Sequence, residues 1–379
     1  MKLENLHAVV AGSAIGGAAT ALLLARAGAR VTVLEKVAHP RAVGAGIAIA
    51  ENGLAVLESL GLLPAIERAG RLLDAPRIVS AAGRTLFAPP AARIMMVRRS
   101  ALHGILLDAL AAEPRIECRF GVEVTRASRD GIVTTSTGEL AADLVVAADG
   151  VHSQIRTTGE FGARVRDRGI AYLRFLVDAE VATGVEAWTS AGIFGAFPVP
   201  DGTYVYASAG SRATRDAIAA RDLDALRAAW SRAYPPAAPA LAALESFDAL
   251  LVDRVTRVDC ARWFDGRVAL LGDAAHAMPP NLGQGANSAL VDAAVLLDEL
   301  RTAPELADAL RAYQARRQGA VRWVATSAAR LGAIAELTNP LARFLRDRLL
   351  MPLANTFAGD PTVRVLQEPI PALRAIGRA

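Results

Sequence analysis

Three short stretches hold the residues whose types and spacing can do chemistry. The longest reads LLGDAAHAMPPNLGQGANSALVD from Leu270 to Asp292. An apolar strand expected over 267–271 runs into Gly272-Asp273. A carboxylate just past a strand end is placed to accept hydrogen bonds from ligand hydroxyl groups. Pro279-Pro280, Gly283 and Gly285 keep the next segment irregular. A helix is expected after them, with Leu290, Ala293, Ala294 and Leu297 on one face. The amides of Gly283, Gly285, Ala286 and Asn287 then stand near its positive end, where they stabilise negative charge.

The second stretch lies at the N-terminus. Residues 6–11 read as a buried strand, Gly12-Ser13-Ala14-Ile15-Gly16-Gly17 as a turn, 18–27 as an Ala-Leu helix, and 31–35 as a strand ending in Glu35. This is a βαβ unit with an acid 18 residues after Gly17. The pattern binds a dinucleotide: Gly12, Ser13, Ala14 and Gly17 cradle the pyrophosphate at the helix N-terminus, and Glu35 accepts from the ribose hydroxyls. Ala14 departs from the usual middle glycine of GxGxxG. Its methyl crowds the pyrophosphate approach.

In the third stretch an apolar strand runs into Asp149-Gly150, followed by Ser153 and Arg156 as DGxxSxxR. Together the three elements, with the 44–61 segment from Gly44 to Gly61 and Arg99-Ser100-Ala101-Leu102-His103, resemble the group A flavoprotein aromatic monooxygenases, the para-hydroxybenzoate hydroxylase family. The likeness runs from roughly residue 5 to residue 325 and is loose between 160 and 260.

That resemblance implies noncovalent FAD, with NADH or NADPH as co-substrate. Oxygen adds to the reduced flavin, and a flavin hydroperoxide hydroxylates a small aromatic or heteroaromatic, or a polycyclic or quinone, substrate. The flavin carries the difficult step, so no catalytic side chain is named. Asp273 falls to the ribitol, Arg99 to the flavin and Val124 to the adenine through its backbone; Gly46 is a further cofactor-binding position, and the motif of Asp149 serves both FAD and the nicotinamide cofactor. His276 is similar to a position that supports the loop. Arg174, Tyr204, Tyr206 and Pro279 are the substrate-side candidates. Tyr204 and Tyr206 share a strand face, whereas Phe194 and Phe197 have opposite parity, so at most one of those two faces the site. A competing reading is an FAD-dependent reductase or dehydrogenase acting on an isoprenoid or quinone without oxygen insertion, but it has no need of DGxxSxxR. A halogenase is disfavoured because its Trp-x-Trp-x-Ile-Pro motif and catalytic lysine have no counterpart.

The elements that must position these residues give an α/β chain. A doubly wound, Rossmann-like FAD-binding domain (1–157 and 261–330) is interleaved with a mixed β-sheet substrate domain (158–260), and a helical C-terminal tail follows (331–379). Residues 76–98, around Gly83 and Pro89-Pro90, read as strands, and 99–113 as a helix. In the middle region 172–177, 194–199 and 204–208 read as strands, with Pro200-Asp201-Gly202 as a turn, and 222–234 as a helix.

Composition agrees. Lys and Arg total 42 against 38 Asp and Glu, a net charge of +4. Only Lys2 and Lys36 are lysines, and the charges are interspersed, which is a mixed solvated surface and not a nucleic-acid stripe. No apolar run approaches a membrane span, and the first residues lack a signal-peptide pattern, so a cytoplasmic location is expected. Cys118 and Cys260 make no disulfide framework, and the five histidines have no metal-ligand spacing. The expected partners are a small aromatic molecule and O2, with the chain a monomer or homodimer.

Overall fold

The computed structural model describes residues 2–40, 45–73, 76–88, 93–353 and 362–377. Gly44 and the Pro89-Pro90 pair lie outside the described residues. Two sheets organise the chain. The first has six strands in the order Phe264–Asp265, Val268–Leu270, Leu144–Ala147, His7–Ala11, Arg30–Glu35, Ile116–Phe120. All neighbours are parallel except the outermost Phe264–Asp265 pair. Its inner strands are continuous apolar runs, HAVVA and LVVA, as a sheet covered on both faces requires.

The first helix, Ile15–Arg26, buries every residue from Ile15 to Ala25. It packs between this sheet and the Gly285–Thr302 helix. The sequence pattern placed the start of that helix at 18, but it begins at Ile15. Gly16 and Gly17 belong to its first turn because Gly17 presses on the turn itself: a Cβ there would sit 2.0 Å from the Gly12 carbonyl oxygen.

The second sheet has seven strands in the order Leu251–Cys260, Ala163–Val177, Gly202–Ser208, Ile193–Val199, Val185–Trp188, Arg77–Ser80, Thr85–Phe87. The last two come from a stretch that the sequence division assigns to the first unit. Val185–Trp188 needs a partner on its free side, and Arg77–Ser80 supplies one in parallel. Asp201 and Gly202 adopt positive φ at the turn between Ile193–Val199 and Gly202–Ser208. One face of the sheet carries Leu173, Phe175, Phe194 and Val205 onto a core closed by Trp230 and Tyr234. Trp230 belongs to the Leu223–Ala233 helix, which Asp222 caps through its side chain. The other face carries Arg174, Tyr204, Tyr206 and Phe197 toward the first unit. Phe194 and Phe197 thus face opposite ways, and Phe197 is on the side of the two tyrosines.

Of two small sheets, Gly46–Ile49 with Met95–Arg98 and Gly70–Leu72 bridges these layers, and Val124–Ala127 with Ile132–Thr135 and Gly138–Ala141 packs on the core of the first. The long helix Leu306–Ala335 braces the Gly285–Thr302 helix. The tail then returns, and Ile370–Ala375 packs on Glu51–Ser59. Among the described residues no helix is long and apolar enough to cross a membrane. No group of three or more His, Cys, Asp or Glu among them can hold a metal ion.

Candidate active site

The N-terminal turn is tied to the acid that follows it. Glu35 Oε2 accepts from the Ser13 amide at 2.9 Å and from Ser13 Oγ at 3.0 Å, while Oε1 accepts from the Val37 amide. A carboxylate has about four acceptor positions, so capacity for ribose hydroxyls is left. The Gly12 amide is spent on the Leu34 carbonyl. The amides left for a pyrophosphate are therefore those of the helix start, where no intrahelical acceptor exists. Ala14 is the helix N-cap, with extended backbone (φ −69°) and an exposed side chain, so an alanine is accommodated without strain. The buried His103 ring holds the Ser13 carbonyl at 3.0 Å. Val124 starts a strand just past Val122, whose amide donates to the Glu35 carbonyl.

Gly12 takes φ +101°, and a Cβ there would lie 2.4 Å from the Ala148 carbonyl oxygen. The turn therefore lies against the end of the Leu144–Ala147 strand, next to Asp149. Burial raises the Asp149 carboxyl, opposed by hydrogen bonds from Ser153 and the Ile155 amide. Its Oδ1 is buried with no hydrogen-bond partner among the described residues. Ser153 caps the short helix Gln154–Thr158. Arg156 donates to the Ala274 carbonyl at 2.9 Å and the Val151 carbonyl at 2.7 Å. The DGxxSxxR and GDAAH segments are thereby stitched together.

In the GDAAH segment Asp273 opens a single helical turn and stays exposed. Gly285, the first residue of the facing helix, would put a Cβ 4.0 Å from Asp273 Oδ1. The carboxylate thus stands across from the amides of Gly285, Ala286 and Asn287. Gly283 turns the chain into this helix with φ +61°. Asn287 fixes the loop: its Oδ1 accepts from the Ala50 amide, and its Nδ2 donates to the carbonyls of Ala48 and Gly283.

Below the loop lies a group that sequence reasoning missed. Asp292 has no exposed side-chain surface. It accepts from His276 Nε2 at 2.6 Å, from the Gly272 amide at 3.1 Å and from Arg317 Nε at 2.8 Å. Arg317 reaches on to Gln367, whose amide nitrogen donates to Ser288 Oγ. Trp263 stacks on His276, and Tyr313 donates to the Leu270 carbonyl. His276 is thus linked through Asp292 to the Gly272 amide.

On the sheet side, Arg98 and Arg99 separate cleanly. Arg98 points to the Pro200 and Asp201 carbonyls and to Asp178. Burial and the like charge of Arg174 lower the Arg99 guanidinium, against the opposing charges of Asp273 and Asp253. Arg99 is therefore the arginine between the loop and the sheet. Arg174 pairs with Asp253 and keeps a buried Nε without a partner among the described residues. Burial pushes the Tyr204 hydroxyl up to about 12, against Arg174 and Arg99. Its ring lies on Gly46, where a Cβ would meet Tyr204 Cγ at 2.5 Å. Tyr206 stacks on Phe197 with centroids 5.8 Å apart. Pro279 is buried, and Asn281, two residues on, donates to the Tyr172 hydroxyl at 2.8 Å. Gly46, Arg99, Arg174 and Tyr204 thus meet in one seam between the layers.

The model described as FAD binding domain matches residues 5–328. The chain belongs to this family. It is 32% identical over 354 residues, 89% of its length and 93% of the relative's, to a 2-heptyl-3-hydroxy-4(1H)-quinolone synthase of Mycobacteroides abscessus. A solved tetrameric form of 2-methyl-3-hydroxypyridine-5-carboxylic acid oxygenase superposes with a TM-score of 0.78 at 26% identity, covering 94% of this chain and 97% of that one. A Klebsiella pneumoniae HpxO variant complexed with FAD gives a TM-score of 0.78 at 26% identity, covering 97% and 100%. The chain is an FAD-dependent monooxygenase of the aromatic hydroxylase type.

The cradle fits the cofactor: the Gly12–Gly17 turn is closed on its far side by Ala148, Asp149 keeps a buried oxygen with no partner among the described residues, and Asp273 is exposed opposite helix-terminal amides. Asp273→Ala is expected to leave the fold intact and weaken FAD binding about ten- to a hundredfold, since one charge-assisted hydrogen bond contributes about 1.5–3 kcal/mol. Titrating apoprotein with FAD by fluorescence checks this, and unchanged affinity would remove Asp273 from the cofactor site.

Proposed function

We propose that this enzyme uses NADH or NADPH and O2 to hydroxylate a small nitrogen-containing aromatic ring. The observation that carries the reading is the seam itself: aromatic side chains of the large sheet on one side, the Pro279–Gly283 loop on the other, and the Arg99–Arg174 pair beside Asp253 at one end. The names of relatives that act on a quinolone and a hydroxypyridine support the heteroaromatic class.

FAD, when bound, supplies the oxygen activation. The chain's own residues bind and orient. The turn amides and Glu35 hold the dinucleotide end, and Asp273 holds the polyol. The Gly285–Asn287 amides stabilise negative charge that builds up on the ring facing them. Tyr204, Tyr206 and Phe197 offer flat apolar surface to an aromatic substrate and exclude water. Arg174, whose Nε has no partner among the described residues, offers a donor to a substrate carboxylate, carbonyl or phenolate.

The division into a discontinuous cofactor unit (1–157 and 261–330), a substrate unit (158–260) and a tail (331–379) belongs to the same proposal, with the 77–87 hairpin working in the substrate sheet. The test is NADH and NADPH oxidation in air against a panel of phenols, hydroxypyridines and quinolones. A heteroaromatic is expected to accelerate oxidation and to yield hydroxylated product. Acceleration by isoprenoids or quinones alone, with no oxygenated product, would overturn the reading in favour of a dehydrogenase.

A further inference from the structure

The face of the large sheet that looks into the seam carries a polar row across four strands. Arg174 pairs in register with Tyr206, Tyr206 with Gly195, and Gly195 with Glu186. Gly195 is the gap in this row. A Cβ there would lie 2.6 Å from Tyr206 Cε1 and Cζ. With no side chain in the way, the Tyr206 ring crosses the strand, and its hydroxyl reaches Glu186 Oε2 in a short hydrogen bond. The other carboxylate oxygen, Oε1, accepts from Trp188 Nε1 at 2.6 Å. The indole is fully buried and can only donate.

Other groups close the same corner. Tyr172 donates to Glu336 Oε1 at 3.2 Å and accepts from Asn281 of the Pro279–Gly283 loop. The Arg346 guanidinium lies over the Trp188 ring, 5.2 Å from its centroid. The corner therefore adjoins the loop that bounds the proposed substrate space. Burial outweighs the hydrogen bonds from Tyr206 and Trp188 and leaves the Glu186 carboxyl raised on balance.

A tyrosine hydroxyl has one proton and two lone pairs. The Tyr206 proton is committed to Glu186, so its oxygen has only acceptor capacity left to offer the seam. We infer that Glu186 is a positioning residue that sets the polarity of Tyr206, so that the site selects aromatic substrates presenting a hydrogen-bond donor, a ring N–H or a hydroxyl. This deepens the substrate class and rests on the aromatic-hydroxylase reading above. Arg99 and Arg174, at the other end of the row, are donors. The substrate is thus an aromatic ring with a donor edge toward Tyr206 and an acceptor toward the arginines.

Glu186→Gln makes a sharp test because the amide has one oxygen and one NH2. The buried Trp188 N–H cannot turn, so the amide oxygen goes to it. The NH2 then faces Tyr206, whose hydroxyl becomes the acceptor and turns its own proton toward the seam. Dissociation constants are measured by absorbance titration of the oxidised holoenzyme with matched probes: a hydroxypyridine and its O-methyl ether, and a 4(1H)-quinolone and its N-methyl derivative. The wild-type enzyme is expected to prefer the free donor in each pair by roughly tenfold, because a mismatched edge leaves a desolvated polar group unpaired. Glu186→Gln, with FAD content unchanged, is expected to abolish or invert that preference. KM is expected to carry the change more than kcat. Tyr206→Phe, which keeps the stack on Phe197, is expected to abolish the preference as well. A Glu186→Gln enzyme with wild-type selectivity, or a wild-type enzyme indifferent to methylation, overturns the inference alone. Failure of every heteroaromatic probe to bind overturns the substrate reading and the inference with it, while FAD binding stands.

Discussion

Asp292→Ala is expected to destabilise the protein by about 3–5 kcal/mol, the usual cost of removing one partner from a buried ion pair. The carboxylate has no exposed surface and serves His276, Arg317 and the Gly272 amide together. Removing it strands the Arg317 guanidinium, which is itself fully buried. It also frees the Gly272-Asp273 turn, so retained FAD should fall with stability. Urea unfolding of wild type and variant measures the loss, and a difference under about 1 kcal/mol would deny the network a structural role. Burial alone would raise the Asp292 carboxyl, but His276 and Arg317 outweigh it, and the net direction is down. A depressed carboxylate contributes fully above its unfolded pKa of about 4. Its contribution is lost as pH falls through the lower folded value. The stability gap between wild type and Asp292→Ala should therefore be constant near neutrality and close only in acid.

Gly12→Ala is expected to release FAD. At φ +101° an L side chain is strained, and the new methyl would meet the Ala148 carbonyl at 2.4 Å. The atoms it meets, the Ala148 carbonyl and Asp149 Cα, are backbone, so the turn must lift from the strand and carry Ser13 away from Glu35. Backbone strain of this kind costs about 1–3 kcal/mol, and the clash adds to it. FAD affinity should fall at least about tenfold, with the flavin absorbance lost on gel filtration. A yellow, fully loaded Gly12→Ala protein would mean that the turn does not carry the cofactor.

The cofactor side was legible because its signals are local. A strand, a glycine turn, a helix and Glu35 follow within one βαβ unit, and each periodicity is read from neighbours in the chain. Even there the start of the first helix shifted to Ile15, since Gly16 and Gly17 read as turn residues until the packing of Gly16 on Leu271 and Ala289 and of Gly17 on Gly12 is known. The sheet side was less legible. Leu251–Cys260, LVDRVTRVDC, is an edge strand with exposed charges and lacks clean alternation. Val185–Trp188 has four residues and carries a glutamate inward. Asp292, Arg317 and Gln367 meet across 25 and 50 residues of chain, and no spacing rule links such partners. Arg174 was named from sequence, but its place beside Arg99, Tyr204 and Asp253 depends on the layers closing over it.

As a monooxygenase of the aromatic hydroxylase type, this chain inserts one atom of molecular oxygen into an aromatic ring. The most direct measurement is mass spectrometry of the product formed under 18O2, with a parallel reaction in H218O. Product carrying one labelled atom from the gas and none from water is the result the structure leads to. Product oxygen drawn from water, or sustained turnover of the same substrate under strict anaerobiosis, would contradict it.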